Sequence, residues 1–201
     1  MIRSRAARPR GAEAVREALI AAAANLFAQH GPAAVSVREI AAAAQVNHGL
    51  VHRHFGSKDA LLQAVFDRLA HDLAGEMRLR PNPLNRPGRQ MFRATRTQGQ
   101  LWRILAHSLL EKRRPRELQR DYPVIAALVR TVRMAQVTGR FDPKFDARAL
   151  VAVATGATLG WLLFEPFLLA STGLDQVPPR QRYREISRIW RRVEKAFGPQ
   201  T

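Results

Sequence analysis

The chain has 201 residues, 46% of them hydrophobic, which is enough apolar material to bury a sizeable core and excludes global disorder. It carries 33 Lys/Arg against 16 Asp/Glu, a formal charge of +17, so a polyanionic partner is expected. It has no cysteine, which excludes disulfides and thiolate metal sites and points to a reducing cytoplasm.

The charge is unevenly placed. Residues 1–60 hold eight basic and four acidic side chains, so most of the excess lies further along the chain. The first ten residues carry Arg3, Arg5, Arg8 and Arg10 without the apolar run of a secretory signal. They form a basic arm, suited to tracking phosphates or to nothing specific.

Apolar residues recur at helical spacing throughout, and no alternating strand pattern is present. A first helix is predicted over residues 12–29, with Val15, Leu19, Ala22, Ala23, Leu26 and Phe27 as its stripe, ended by His30-Gly31-Pro32. Ser36-Val37-Arg38-Glu39 reads as a capping box: each of Ser36 and Glu39 can satisfy the other's backbone amide. It opens a short helix over 37–44, with Ile40 and Ala41 inward. Gln45-Val46-Asn47 is a tight turn, and Asn47 is a suitable cap for a helix over 48–55. Val46, Val51 and Phe55 face inward there; His48, Gly49, Leu50, His52 and Arg53 are left outside. Gly56-Ser57 breaks that helix, and Ser57 caps the next, over 58–80, with Leu61, Leu62, Val65, Phe66, Leu69 and Leu73 as its stripe.

Pro81, Pro83, Pro87 and Gly88 mark a loop. Helices are then predicted over 90–113 (with a break near Gly99), 116–138, 142–170 and 179–197. Within the third of these, residues 149–164 are charge-free but number only 16, short of the roughly 20 a bilayer span needs, so a buried core helix and no membrane partner are expected. The fold class is therefore all-α, with about nine helices.

Two short helices joined by a three-residue turn, the second with a polar outer face, make a helix-turn-helix. The run Ser36-Val37-Arg38-Glu39-Ile40-Ala41-Ala42-Ala43-Ala44-Gln45-Val46-Asn47-His48-Gly49-Leu50-Val51-His52-Arg53-His54-Phe55-Gly56-Ser57-Lys58-Asp59-Ala60-Leu61-Leu62, with Leu26-Phe27-Ala28-Gln29-His30-Gly31 before it, resembles the DNA-binding region of the tetracycline-repressor (TetR) family. The match covers residues 12–66, about a third of the chain. The resemblance implies an N-terminal three-helix DNA-binding domain, 11–57, and a C-terminal helical domain, 58–201, for effector binding and dimerisation. It implies a homodimer on near-palindromic double-stranded DNA, no cofactor, and release by a small-molecule effector. By position it makes Ser36 and Lys58 phosphate contacts and turns Gly49, Leu50 and Arg53 toward base edges, with His48 close by. His52, also a candidate DNA contact, stands where the family usually has tyrosine; a histidine there can still bond a phosphate, with a different reach.

The remaining candidates are less sharply drawn. Gly156 and Gly160 form a GxxxG that favours close helix approach; with Leu159 and Ile189 they are candidates for a dimer seam. Trp102, Leu105, His107, Tyr122, Met134, Thr158, Trp161 and Glu165 are candidates for an effector pocket, or ordinary core. Glu165 sits in an apolar run, and its burial demands a partner. His48 and His52 are four apart on one helix, but no third ligand stands near them, so no metal is expected. A DNA binder without effector is the chief rival reading. No nucleotide-binding glycine loop, paired-carboxylate or metal motif supports an enzyme.

Overall fold

The computed structural model describes residue 9 and residues 11–78, 99–118 and 121–196. The arginine-rich arm, apart from residue 9, and the first part of the helix expected over 90–113 lie outside the described residues. Every regular element among the described residues is helical: α1 (Ala12–His30), α2 (Val37–Ala43), α3 (Gly49–Phe55), α4 (Lys58–Arg78), α5 (Gly99–Leu110), α6 (Pro115–Leu118), α7 (Pro123–Val137), α8 (Ala147–Ser171) and α9 (Pro179–Ala196), with one 3-10 turn, Leu174–Gln176.

The chain folds as two compact units. The first joins the segment up to Ala70 with Gln100–Asp121; the second joins His71–Gly99 with Tyr122–Thr201. In the first unit, α1 buries Val15, Leu19, Ala22, Ala23 and Phe27, while Leu26 is half-buried. From α4, Leu61, Leu62, Val65, Phe66 and Ala70 are buried. From α5, Leu101, Trp102, Ile104 and Ser108 are buried. Full burial of such a Leu, Val or Phe contributes about 1.5–3 kcal/mol each, so this shared apolar interior is what holds the short helices α2 and α3 in place. Polar contacts reinforce the unit: Arg68 bonds Glu17, and Gln100 bonds Asn25. Segment 100–121 thus packs with the N-terminal helices, a long-range pairing that no local pattern announces.

The second unit is built on α8, which packs against α7 and against the 3-10 turn. Asp146 caps α8 by accepting from the amides of Arg148 (2.7 Å) and Ala149 (3.4 Å). The Arg148 guanidinium closes on the same carboxylate, holding it well below the usual carboxylate range. Such a cap removes two of the unpaired donors at a helix start.

Three expectations are corrected here. The helix expected over 116–138 is broken in two: α6 ends at Leu118, and Pro123 opens α7 in the first turn, where its missing amide costs nothing. The helix expected from 142 begins only at Ala147, because Asp146 is the cap and Asp142–Phe145 form a turn whose carbonyls Gln136 binds. Nor is α8 a buried core helix. At 25 residues it is long and apolar enough to cross a membrane by length and composition. Only one stripe is covered, Ala147, Val151, Thr155, Thr158 and Leu169, while Val153, Leu163, Phe164 and Phe167 are exposed. The helix also continues through Pro166 to Ser171.

Candidate nucleic-acid interface

The pair α2–α3 begins at Ser36. Its amide and its hydroxyl both donate to Glu39 Oε2 (2.7 Å each), and the hydroxyl accepts from the Glu39 amide (3.2 Å). These bonds hold the Glu39 carboxyl below its ordinary range, chiefly through the Ser36 amide and then its hydroxyl. Ile40 and Ala41 are buried beneath α2. Ala44 is buried as well and ends the helix, while Ala42 and Ala43 are exposed. Gln45 takes a positive φ of 57° to turn the chain, and the Val46 amide bonds back to Ala41.

The next helix starts one residue later than expected. Asn47 Oδ1 accepts from the Gly49 amide (2.8 Å), so His48 occupies the cap position between them. Val51 is fully buried and fixes α3 to the unit. Phe55 is half-buried beneath the Arg16 guanidinium of α1, 5.6 Å from its ring centre. Opposite these anchors, His48, Gly49, His52 and Arg53 are exposed and Leu50 is half-exposed. A seven-residue helix thus presents one continuous polar face while its other side is held by Val51 and Phe55.

His52 has a defined orientation. Its Nδ1 lies 3.1 Å from the Gly56 carbonyl, an acceptor, so this nitrogen carries the proton and donates. Gly56 sits at φ +76°, which turns its carbonyl back toward α3. With Nδ1 committed to Gly56, only Nε2 is left for a contact elsewhere.

Lys58 opens α4, next to Ser57, whose hydroxyl caps the Ala60 amide (3.1 Å). Its ammonium donates to the carbonyls of Pro32 (3.0 Å) and Val35 (3.1 Å), at the two ends of the short connection before α2. An ammonium has three donors, so one is left to point elsewhere. That bracing went unforeseen: 23 to 26 residues separate the partners, and nothing local marks them.

A family model described as bacterial regulatory proteins, tetR family, matches residues 19–65, the segment that holds α2, α3 and the start of α4. The HTH-type transcriptional repressor Rv3405c of Mycobacterium tuberculosis is 41% identical over 169 residues, 84% of this chain and 83% of that protein. The chain belongs to the TetR family of bacterial regulatory proteins. Among solved structures, the transcriptional regulator SCO4942 of Streptomyces coelicolor superposes with a TM-score of 0.72 at 26% identity, covering 89% of this chain and 97% of the other. A gamma-butyrolactone receptor, described as ArpA-like, shares the fold with a TM-score of 0.59 at 22% identity, over 92% and 98% of the two chains. The protein is a DNA-binding transcriptional regulator with an N-terminal helix-turn-helix and a C-terminal helical domain.

In this TetR-family regulator the other predicted residues separate into groups. Thr158, Trp161 and Glu165 share one face of α8. Thr158 is buried, and its hydroxyl donates to the Ala154 carbonyl (2.7 Å). Glu165 has the partner its setting demands: the Tyr183 hydroxyl of α9 donates to Oε1 at 2.8 Å. Trp102 is buried and Leu105 half-buried on α5, whereas Tyr122 and Met134 are exposed. His107 of α5 is half-buried and lies against Gly31: a Cβ on Gly31 would stand 3.1 Å from its Nδ1. Gly156 and Ile189 are exposed, Leu159 and Gly160 half-exposed. Among the described residues no three His, Asp or Glu side chains gather where a metal ion would sit.

Proposed function

We propose that this regulator is a homodimeric repressor that reads a near-palindromic operator with α3 and is released by a small-molecule effector. The observation that carries the reading is the two-sidedness of α3: Val51 buried on one side, His48, Gly49, His52 and Arg53 exposed on the other. A recognition helix must be anchored from behind and polar in front. Arg53 has the fork geometry that reads guanine edges, Gly49 lets the backbone approach closely, and Leu50 offers an apolar contact. Ser36 marks the start of α2 beside a phosphate, although its hydroxyl must turn away from Glu39 to donate there. Lys58 keeps one donor for a phosphate while bracing the connection to α2.

Dimerisation is supported by the exposed apolar stripe of α8. Val153, Gly156, Gly160, Phe164 and Phe167 follow one another at helical spacing and leave Gly156 and Gly160 open for close approach. Ile189 and Val193 of α9 are exposed as well. An effector site is supported by polar groups on the covered stripe of α8. The buried Thr155 hydroxyl has no hydrogen-bond partner among the described residues, and Thr158, Trp161 and the Glu165–Tyr183 pair continue the same face. Most buried polar groups are partnered, so such a group is a place for a ligand to bind. We place the DNA-binding domain at 11–57 and the effector and dimer domain at 58–201, and the site of action in the cytoplasm with the chromosome.

Selection of bound duplexes from a random library tests the reading. Enrichment of a two-fold symmetric sequence with half-sites about one helical turn apart is expected. On that sequence Arg53→Ala should cost about 1–3 kcal/mol and relax preference at one position of each half-site. Enrichment of no sequence, or an unchanged preference at every position in the variant, contradicts it. A compound screen on the selected duplex then looks for release.

A further inference from the structure

The connection between α1 and α2, residues 31–35, sets where Ser36 and the start of α2 stand. Gly31, Pro32 and Val35 are buried, while Ala33 and Ala34 are exposed. Lys58 holds this connection by its carbonyls. A second side chain holds it by an amide. Glu111, one residue beyond α5, accepts from the Ala33 N–H through Oε1 at 2.9 Å, across 78 residues of sequence.

The surroundings of Glu111 keep that carboxylate in place. Its Oε2 stands 3.5 Å from Nε of Arg113, whose Nη1 bonds Asp59 Oδ1 at 2.8 Å. Asp59 is the neighbour of Lys58 on α4. The segment after α5 is therefore tied to the connection through Glu111 and to the start of α4 through Arg113. Gly31 makes room for Glu111 and for His107 of α5: at φ +81° it adopts a conformation that side chains disfavour, and a Cβ there would lie 3.0 Å from Glu111 Oε1 and 3.1 Å from His107 Nδ1. A hydrogen bond from an amide to an ionised carboxylate is about twice as strong as a neutral one. It stiffens an otherwise exposed turn at its midpoint.

We infer that Glu111 is a positioning residue for DNA binding. It touches no base and no phosphate. It fixes Ala33, and so the approach of Ser36 and the first turn of α2 to the DNA backbone. This rests on the assignment of α2 and α3 as the DNA-reading pair.

The variants Glu111→Ala and Glu111→Gln test it on the full-length protein. Glutamine keeps a carbonyl oxygen that can accept from Ala33 but loses the charge and puts an NH2 donor in place of the oxygen that faces Arg113. Three quantities are read for each: the melting temperature, the exchange rate of the Ala33 amide proton, and affinity for the duplex selected by the wild-type protein. Folded Glu111→Ala should bind that duplex about tenfold more weakly, the size expected when a hydrogen bond to a charged group is lost. Its Ala33 amide should exchange faster. Glu111→Gln should restore Ala33 protection and most of the affinity, even where its melting temperature stays low. A contact that only stabilised the fold would lower the melting temperature of both variants and leave the affinity of folded protein unchanged. That result overturns the inference, and so does equal loss of affinity in both variants. The wild-type selection tests the DNA-reading pair before any variant is compared, so the two failures are told apart.

Discussion

Ser36 and Glu39 exchange three hydrogen bonds across three residues, and this small motif decides how α2 begins. The Glu39 carboxyl is depressed because its charged form is the acceptor in two of them. A carboxyl depressed in the fold stabilises it above the unfolded value of 4.5, and that contribution is lost as the pH falls below it. Glu39→Gln should therefore lower the melting temperature at pH 7, and the gap from wild type should narrow as the pH is taken down through 4. A gap of constant width from pH 7 to pH 3 would show that the charge does not matter there. Capping boxes are local, so this one was legible in the four residues Ser36–Glu39. Asn47 was expected to cap α3; its side chain does accept from the Gly49 amide, but the helix starts at Gly49 with His48 in the cap position. Lys58 and Glu111 are the opposite case. Each acts on the backbone of residues 32–35 from far along the chain, and a hydrogen bond to a bare amide or carbonyl leaves no mark on the residue that receives it.

At the scale of elements the local signals succeeded where a helix buries one clear stripe and failed where it meets two environments. The stripes of α1 and α4 emerged nearly as read, since each is apolar on one side only. On α8 apolar residues run all round, which reads as full burial. The structure divides them into a covered stripe containing Thr155 and Thr158 and an open one containing Phe164 and Phe167. The proposed dimer seam lies along this open stripe, and its glycines supply the means to test that. A Cβ on Gly156 or Gly160 meets nothing within 4 Å in the protomer. Gly156→Leu should then leave the protomer folded, with a gain of up to about 1 kcal/mol from helix propensity. It should weaken the dimer, seen as a lower mass by sedimentation at micromolar concentration. Phe164→Asp, at a position 59% exposed, should do the same by placing a charge in the seam. Unchanged mass in both variants would move the dimer interface elsewhere.

Taken whole, the molecule presents a mismatch between its charge and its reading head. The formal charge is +17, yet residues 1–60 account for four of those units. Salt dependence of binding resolves what each part contributes, because its slope reports the phosphates that basic groups neutralise at the interface and not the total charge. A protein held mainly by diffuse attraction of its basic body would show a slope insensitive to any one side chain. One held by built contacts loses a defined increment with each. Lys58 is the informative residue, since two of its three donors are committed to Pro32 and Val35. If the third reaches a phosphate, Lys58→Ala should weaken binding to selected and unselected duplexes alike and flatten the slope of log K against log salt by about 1. If Lys58 serves only to brace the connection, the same variant should lose affinity for the selected duplex with the slope unchanged, as expected for Glu111→Ala. Measured side by side, the two variants therefore separate charge that touches DNA from charge that only places the helix that does.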